Sequence, residues 1–565
     1  MVFNSGPFGQ ISTQNGLPQN QVDPPIEQWS ELVLTPMNAP ADLLSLRRSA
    51  RKRLVESGEQ MVLRLHEVAQ RAGLPPLTAA VLTGNPHDAR IIMTGHQPVI
   101  FHSGLTFKYQ LTEQFAAREH AICVAVVIDT DEGDAGQFIC PQPDGQLASS
   151  SESRMVDTAS DPPKTNASES DSVRIRKIIR HTESLSAGHS LYLNGRLKAA
   201  DDIASIGRRV VESLRQLQLE KAAEYAAPVF RQFEMLSSVG ATMMEANLLT
   251  RWSAGIGDRC LELPLSAFSA FPEVMDLTAS LVMRHREFAA EYNRLLREFR
   301  SVQRIENPAN PFPDLDVNES ACELPFWVIH CSTGKRERLG VSGVAGQQVE
   351  LWADGQRILQ LQGSISGESL QDLLLQGIQI VPRGALITTF LRLLCSDLFV
   401  HGTGGGKYDR FTDELIRSWW KVQPPPFCVA STSRYLLADD RAALNQLEQT
   451  SLQLRDLQFN PQRHFGTAVF SQPLEETLKQ LWQQKQVLVQ QMQDARAANR
   501  SGREIGAQIQ QVTEQIRSAV AAEFQSRMTQ LESLSTENRA AVQCRTWPWI
   551  FFTEHAADTS ASRQP

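Results

Sequence analysis

Two histidines, a glutamine and several small residues lie close together in the stretch MTGHQPVIFHSG, residues 93–104. Histidine exchanges a proton near neutral pH, so His96 and His102 are candidates to move protons or to contact a phosphate. Gly95 and Gly104 would let a ligand approach the backbone. A turn with capping residues is the alternative interpretation. Further candidates to contact a ligand in or just after this stretch are Thr94, Gln97, Ser103 and Lys108.

The acidic run DTDEGDAGQF, residues 129–138, is a second candidate. Asp129, Asp131 and Asp134 could hold an ammonium group, bind Mg²⁺ or act as bases. The run does not fit the calcium-loop pattern, because Gly133 stands where a ligand is needed and Asp134 stands where glycine is required. We expect these carboxylates to bind a substrate amine, and a solvated acidic turn is the alternative.

A glycine-rich segment, FVHGTGGGKYDRF at residues 399–411, is the third candidate. It has four glycines within five positions, followed by a lysine. Such a turn before a helix predicts a cradle for a phosphate or carboxylate. The segment is not a Walker A loop, which would need Ser or Thr at position 408. The residues expected to bind the anion here are His401, Gly402, Gly404, Gly405, Lys407 and Tyr408.

The elements around these candidates predict a parallel sheet. RIIMT (90–94) and AICVAVVIDT (121–130) are short apolar runs, and the segment between them has helical spacing. Strand, helix and strand in this order form a unit whose strands run parallel. DLFVHG (397–402) precedes the glycine-rich segment in the same way. Because ligands bind at the carboxyl ends of such strands, we expect the three candidates to form three walls of one pocket.

The rest of the chain predicts an insert and an arm. Residues 200–305 have mainly helical spacing and end at the proline-rich NPANPFPDL, after which strand-like runs resume at 325–331, 348–353, 357–362 and 426–431. Residues 141–171 are rich in Ser, Asp and Pro, which predicts disorder. Residues 474–534 have apolar side chains at heptad spacing, which predicts an antiparallel coiled coil that turns near 500–504. It could pack on itself or form a dimer.

The predicted fold class is therefore α/β: a Rossmann-like parallel sheet split by a helical insert, with a C-terminal antiparallel coiled-coil arm. The predicted parts are an N-terminal extension with helices (1–79), the first half of the core (80–140), a disordered insertion (141–172), a helical connecting insert (173–321), the second half of the core (322–435), the coiled-coil arm (436–540) and a tail (541–565).

The charge and composition of the chain argue against several classes of protein. The 565 residues carry a net charge of −8, which makes nucleic acid an unlikely partner. No run of about 18 apolar residues occurs, and the N-terminus does not resemble a signal peptide, so we expect a cytoplasmic protein that does not enter the membrane. Eight cysteines without a C-x-x-C pair argue against a zinc ribbon and a disulfide framework.

The order of these features resembles the bacillithiol-biosynthesis cysteine-adding enzyme family, whose core is similar to that of class I aminoacyl-tRNA synthetases. The family has T-G-Q-Q and then T-G-P where this chain has Thr94-Gly95-His96-Gln97 and then His102-Ser103-Gly104. It has A-E-D-H-D-F where this chain has the run 129–134. Its segment R-P-L…V-G-G-P-G-E-x-x-Y corresponds to Arg383 followed by Gly402, Gly404 and Tyr408.

The chain departs from this family within the predicted site. His96 replaces a glutamine, His102 replaces a small residue, the acidic run is rearranged, and Gly405, Gly406 and Lys407 replace the P-G-E surroundings. HSGL stops short of the synthetase H-x-G-H, and no K-M-S-K-S occurs. The substrate can therefore differ even where the scaffold is shared.

The resemblance implies a ligase that joins an amino acid, with cysteine as one candidate, to an amine-bearing small-molecule acceptor. Arg383 would then bind the anionic part of a substrate, and ATP or another nucleotide with Mg²⁺ would be the candidate cofactors. A non-enzymatic binding or scaffold protein and a nucleotidyl transferase with another acceptor are the alternatives. A small-molecule substrate and a second copy of the chain, bound through the coiled coil, are the expected partners.

Overall fold

The computed structural model describes residues 20–75, 89–144, 175–344, 347–467 and 469–552. Most of the predicted disordered insertion, from residue 145 onward, lies outside these ranges. The chain divides into two compact units. Unit 1 comprises Met1–Cys140, Thr182–Arg434 and Arg545–Pro565, and unit 2 comprises Pro141–His181 and Tyr435–Cys544. Among the described residues, no helix is long and apolar enough to span a membrane.

The strands are β1 (Asn20–Asp23), β2 (Ile91–His96), β3 (Ile122–Val127), β4 (Glu132–Gly133), β5 (Gln137–Pro143), β6 (Ile178–Ser184), β7 (Ser190–Leu191), β8 (Leu261–Pro264), β9 (Ala321–His330), β10 (Lys335–Val344), β11 (Gln348–Ala353), β12 (Gln356–Gln362), β13 (Ile378–Pro382), β14 (Leu398–His401) and β15 (Phe427–Thr432). The helices are α1 (Trp29–Leu34), α2 (Ala41–Arg71), α3 (Ser103–Arg118), α4 (Ala200–Gln216), α5 (Glu220–Ser238), α6 (Met243–Ser253), α7 (Leu265–Ser269), α8 (Pro272–Met283), α9 (His285–Gln303), α10 (Gly367–Leu375), α11 (Ala385–Leu394), α12 (Thr403–Leu415), α13 (Ala438–Phe459), α14 (Gln472–Ala497), α15 (Arg503–Glu532) and α16 (Thr536–Val542).

The main sheet of unit 1 has six strands in the order β1-β15-β14-β2-β3-β8. β1, from the predicted N-terminal extension, is antiparallel to β15, and the other neighbours pair in parallel. The predicted strand, helix and strand at 90–130 are confirmed as β2, α3 and β3. Every residue of β3 is buried, as expected for a strand covered on both faces. The protein is therefore a mixed α/β protein with parallel strands in its main sheet.

The predicted helical insert, 173–321, needs a correction. Most of it is helical, from α4 to α9, but β8 lies within it and pairs with β3. This strand consists of only four residues, LELP, which are too few to show a periodicity of two. The segment therefore contributes an edge strand to the main sheet as well as helices.

The predicted second half of the core, 322–435, also needs a correction. Of its strands, only β14 and β15 join the main sheet. The runs at 325–331, 348–353 and 357–362 belong to a separate five-stranded sheet in the order β12-β11-β10-β9-β13, and all its neighbours are antiparallel. Burial alternates along β11, which is typical of an antiparallel strand with one face on the core.

Unit 2 contains a helical hairpin made of α14 and α15. The backbone N–H and hydroxyl of Ser471, just before α14, donate to Glu523 at 2.8 and 2.6 Å, so the two helices run antiparallel. Between them pack Leu478 and Leu488 from α14 and Ile516 from α15. The hairpin lies where the sequence predicts an arm. The supercoiling that defines a coiled coil stays a prediction.

The predicted C-terminal tail, 541–565, is divided between the two units. Residues 541–544 belong to unit 2, where α16 ends at Val542. Residues 545–552 belong to unit 1, and the backbone N–H of Trp549 donates to the Phe101 carbonyl at 3.0 Å. The β2–α3 connection is therefore covered by a segment from the far end of the chain.

Candidate functional site

A cavity of about 400 Å³ lies in unit 1 next to the carboxyl ends of β2 and β3. Among the described residues, its lining includes four polar side chains, Gln97, Thr130, Asp131 and Arg383. The rest of the lining is Gly384, three aromatic residues, three prolines and three aliphatic residues. Both the volume and the mostly apolar wall with a few polar groups are typical of small-molecule sites, which span roughly 300 to 1,000 Å³.

Asp131 is the carboxylate that the structure brings to this cavity. Its two oxygens accept hydrogen bonds from Gln97 Nε2 at 3.0 Å and from Arg336 Nη1 of β10 at 3.1 Å. The Asp131 side chain is still 37% exposed. Because each carboxylate oxygen can accept more than one hydrogen bond, the group keeps capacity for a ligand donor.

Arg383 directly follows β13 and lies on the opposite, antiparallel-sheet side of the cavity. Its Nη2 donates to the carboxylate of Glu323, and its guanidinium lies 4.5 Å from the centre of the Trp327 ring. The guanidinium of Arg336 lies 4.3 Å from the same ring. In the described part of the chain, Nη1 and Nε of Arg383 have no hydrogen-bond partner, so these donors can reach an anionic ligand group.

Asp129 and Asp134 do not line the cavity. The backbone N–H and hydroxyl of Ser266, at the start of α7, both donate to Asp129, the former at 2.9 Å. Burial raises the pKa of Asp129 to about 6, although these hydrogen bonds act in the opposite direction. Asp134 accepts from the Ser184 hydroxyl at 2.8 Å and from the Gly136 backbone at 3.0 Å. Both carboxylates therefore connect elements of the fold.

His96 also lies outside the cavity. Its Nδ1 is 3.1 Å from the Gln97 carbonyl, and its ring meets the edge of Phe101 at 5.7 Å. Burial, together with the nearby Lys108, lowers the pKa of His96 to about 3. The void next to His96 measures about 10 Å³, which is barely enough for one water molecule. His96 is therefore a packed, neutral side chain at physiological pH.

Lys108 and Thr94 connect β2 to its neighbours. Lys108 Nζ donates to the Gly95 carbonyl at 2.6 Å, and burial together with Arg251 lowers the pKa of this lysine to about 7. The Thr94 hydroxyl donates to the Val400 carbonyl of β14 at 2.9 Å. Both side chains are almost completely buried. They hold the strand ends in place below the cavity.

His102 caps helix α3, as the alternative interpretation of this stretch predicted. Its Nδ1 accepts from the Gly104 backbone N–H at 3.1 Å. Burial lowers the pKa of His102, and Lys108 contributes in the same direction. A Cβ at Gly104 would approach the Thr432 carbonyl to 2.6 Å, so this position requires glycine. Ser103 is fully buried.

The glycine-rich segment is the start of a helix and not an open loop. Gly402 precedes α12, and the next three glycines lie in the first two turns of that helix. A Cβ at Gly405 would come within 2.7 Å of His401 Nδ1, and one at Gly406 within 2.2 Å of Val429. The absence of these side chains lets α12 pack closely on β14 and β15. A phosphate cradle at this helix start stays a prediction.

His401 belongs to a buried polar network next to α12. Its Nε2 lies 3.0 Å from Asp409, which also accepts from Arg392 at 2.8 Å and from Thr388 at 2.6 Å. Burial raises the pKa of Asp409, but His401 and Arg392 outweigh this effect and hold the pKa below its usual value. The network joins β14, α11 and α12.

Lys407 and Tyr408 lie further along α12 and are partly exposed. The Tyr408 ring is 5.8 Å from that of Phe312, which lines the cavity. Neither Lys407 nor Tyr408 lines the cavity. Tyr408 contributes to it only indirectly, by packing against Phe312.

The sequence did not point to the three aromatic residues of the cavity, Tyr292, Phe312 and Trp327. Phe312 lies in NPANPFPDL, whose prolines indicate only the end of a helical region. Tyr292 has the helical spacing of an ordinary core residue in α9. The signal that could have found Phe312 is its place among prolines, because such a rigid loop can present a ring in a fixed position.

Among the residues that the structure describes, no group of three or more His, Cys, Asp and Glu side chains could hold a metal ion. All eight cysteines are free, and Cys331 is the exposed one. Cys123 and Cys260, on the neighbouring strands β3 and β8, bring their sulfur atoms to 2.9 Å. Burial raises the pKa of the Cys260 thiol, which keeps it protonated and unreactive.

No family model matches the chain, and no curated protein matches it significantly.

Proposed function

We propose that the protein is a ligase-like enzyme that joins a small amino-acid-type substrate, with cysteine as one candidate, to an amine-bearing small-molecule acceptor. The amino-acid-type substrate would bind in the cavity next to the carboxyl ends of β2 and β3. This proposal rests on the observation that Gln97, Asp131 and Arg383 line the same cavity.

The strand order supports a Rossmann-like core. When the parallel strands β2, β3, β8, β14 and β15 are numbered along the chain, the sheet has the order 3-2-1-4-5. Doubly wound nucleotide-binding sheets use this order, and they bind ligands where it reverses, which here is between β2 and β14. Gln97 comes directly after β2 and lines the cavity.

The chemistry of the wall supports an amino-acid-type substrate. Asp131 offers a half-exposed carboxylate to an ammonium group, and Arg383 offers guanidinium donors to a carboxylate. Holding the two charged groups of one substrate at separate sites fixes its orientation. In this proposal Arg383 positions the carboxylate whose carbon the acceptor amine attacks.

Forming an amide bond in water requires an activated carboxylate. A nucleoside triphosphate with Mg²⁺ is the co-substrate that the family resemblance implies, and it would take up the oxygen atom that leaves the carboxylate. The described residues contain no cluster of three potential metal-ligating side chains, so phosphate oxygens would have to supply most of the ligands to such an ion.

The test is a condensation assay with the full chain. The protein is incubated with ATP, Mg²⁺, one amino acid at a time and glucosamine as a simple amine acceptor, and mass spectrometry measures the amide product and the nucleotide consumed. Asp131→Asn is expected to lose most of the product. Asp134→Asn is the matched control, because this carboxylate belongs to the same run but lies outside the cavity. No product and no nucleotide consumption with any amino acid would contradict the proposal.

A self-associating coiled-coil arm is a separate part of the proposal. Val487 and Val489 on α14 are 57% and 39% exposed, so apolar surface remains outside the hairpin core. This surface would contact a second copy of the chain. Val487→Lys should shift the molecular mass measured by light scattering from dimer to monomer, and a monomeric wild-type protein would contradict this part.

A further inference from the structure

The size of the cavity is poorly matched to cysteine. A volume of about 400 Å³ corresponds to roughly a dozen water molecules at about 30 Å³ each. Cysteine, whose side chain is a single CH₂ with a thiol, would leave most of this space to water. An amino acid with a ring in its side chain would fill more of the same space. An apolar wall that stays in contact with water contributes nothing to affinity, so a ligand that covers more of this wall should bind more tightly.

The wall of the cavity is suited to a ring. Tyr292 from α9, Phe312 from the following loop and Trp327 from β9 approach it from three different elements. Aromatic pairs attract each other beyond the effect of buried area when they stack with an offset or meet edge to face. The Phe312 and Tyr292 rings are each packed against Phe411 of α12, at 6.0 and 5.0 Å, which holds them in position.

The hydroxyl of Tyr292 is evidence for a ligand that does not depend on the cavity volume. Tyr292 is only 1% exposed, and within the described part of the chain its Oη has no hydrogen-bond partner. Because Tyr292 lines the cavity, its hydroxyl can donate a hydrogen bond to a ligand bound there. Tyr292 lies close enough to Arg383 for the two side chains to interact electrostatically. One carboxylate could therefore accept hydrogen bonds from both.

The charges around the cavity are balanced. Asp131 is paired with Arg336, and Arg383 is paired with Glu323. A ligand with a net charge would disturb this balance, whereas a ligand that carries one ammonium and one carboxylate would preserve it. The polar groups are also few, which disfavours a sugar, since each of its hydroxyls needs a partner.

From these observations we infer that the cavity binds a zwitterionic amino acid with an aromatic side chain. The ring lies among Tyr292, Phe312 and Trp327, the ammonium group donates to Asp131, and the carboxylate accepts from Arg383 and Tyr292. This inference rests on the proposed function for the role of the ligand as substrate, whereas binding itself can be measured without turnover.

The test is isothermal titration calorimetry on the full chain with L-phenylalanine, L-cysteine and glucosamine as probes. L-Phenylalanine is expected to bind at least about tenfold more tightly than L-cysteine. Phenethylamine lacks the carboxylate and 3-phenylpropionate lacks the ammonium group. Each should bind about tenfold or more weakly than L-phenylalanine, because each loses one charge-assisted contact.

Two variants locate the binding site. Trp327→Leu should weaken L-phenylalanine binding, and Tyr292→Phe should weaken it roughly three- to tenfold without changing the shape of the wall. Tyr109→Phe is the matched control, because Tyr109 is also buried, at 3% exposure, but does not line the cavity. Tyr292→Phe keeps the test valid if Trp327→Leu fails to fold.

Three results would overturn the inference. If L-cysteine binds as tightly as L-phenylalanine or more tightly, the ring has no site, but the proposed ligase stands. If glucosamine binds and the aromatic amino acid does not, the cavity belongs to the acceptor: the inference and the placement of the amino acid in this cavity fail, whereas the proposed condensation reaction does not. If no probe binds, both the inference and the placement of the amino acid in this cavity fail.

Discussion

Two regions at the carboxyl edge of the main sheet contain the same kinds of residues but differ in their access to solvent. The first, which we name the buried layer, consists of Lys108 and Asp129, which are almost fully buried, and of His96, which packs beside them and is only partly exposed. The second is the cavity with Gln97, Asp131 and Arg383. His96 and Gln97 are neighbours in sequence, yet only Gln97 lines the cavity. Residue type and sequence position alone therefore do not separate a structural group from a candidate ligand contact.

Solvent access explains the difference between the regions. In the buried layer, burial is the largest effect on every pKa, lowering that of His96 to about 3 and that of Lys108 to about 7 and raising that of Asp129 to about 6. In the cavity, each charged side chain has an opposite charge beside it and a part that a ligand can reach. The buried layer should thus determine stability, and the cavity should determine binding.

Removing the two carboxylates one at a time should produce the largest contrast. Asp129→Ala leaves the N–H and hydroxyl of Ser266 without acceptors in a buried place, which should cost about 3 kcal/mol of unfolding free energy. Asp131→Ala removes a half-exposed ion pair and should cost less than about 1 kcal/mol. Urea unfolding measures both. A larger loss in Asp131→Ala would reverse the assignment of the two regions.

The pH dependence of stability should reveal the buried histidine. The folded pKa of His96, about 3, is below its unfolded value of 6.5, so its contribution is fully present above pH 6.5 and is lost as the pH falls towards 3. His96 contributes at most about 1.4 kcal/mol per pH unit to the slope of the unfolding free energy against pH. Urea midpoints between pH 4 and 8 should fall less steeply with acid in His96→Gln. His189→Gln, at an exposed histidine, should keep the wild-type slope, and parallel curves for all three proteins would contradict this prediction.

The cap at the start of α3 should have a smaller effect. His102→Ala removes the acceptor of the Gly104 N–H and should cost about 1 kcal/mol. His102→Asn supplies another capping oxygen and should retain most of the stability. Thermal unfolding of the two variants distinguishes capping from a role in chemistry, because equal losses in both would show that the imidazole itself is required.

The smallest effect is expected at Lys407. This side chain is partly exposed and forms no ion pair with any described residue, so Lys407→Ala should change stability by less than about 0.5 kcal/mol. Thermal unfolding with and without inorganic phosphate measures the change. If phosphate stabilises the wild-type protein and not the variant, the helix start at Gly402 is a second ligand-binding region besides the cavity.

The sequence predicts the parts of the fold whose signals are local. The β2–α3–β3 unit was recognisable from apolar periodicity, and the helical hairpin of unit 2 from its heptads. β8 was not, because four residues carry no periodicity. The antiparallel sheet of β9–β13 was taken for core, because strand signals do not reveal which strands pair.

In the candidate site, too, the sequence predicts only those residues whose signals are local. Gln97, Asp131 and Arg383 could be named because each lies in a segment that follows a predicted strand or carries a family motif. Tyr292 and Trp327 could not, since only tertiary packing brings them to residues about 200 positions away. Equally, nothing local shows that Asp129 binds Ser266 while Asp131 faces the cavity.

The most direct test of the central claim, that the cavity and not the buried layer binds the ligand, is the affinity of His96→Gln and Asp131→Asn for L-phenylalanine by titration calorimetry. We predict that His96→Gln binds within about threefold of the wild type, whereas Asp131→Asn binds about 10- to 100-fold more weakly, because it loses a charged hydrogen-bond acceptor. Loss of binding in His96→Gln with wild-type affinity in Asp131→Asn would contradict the account.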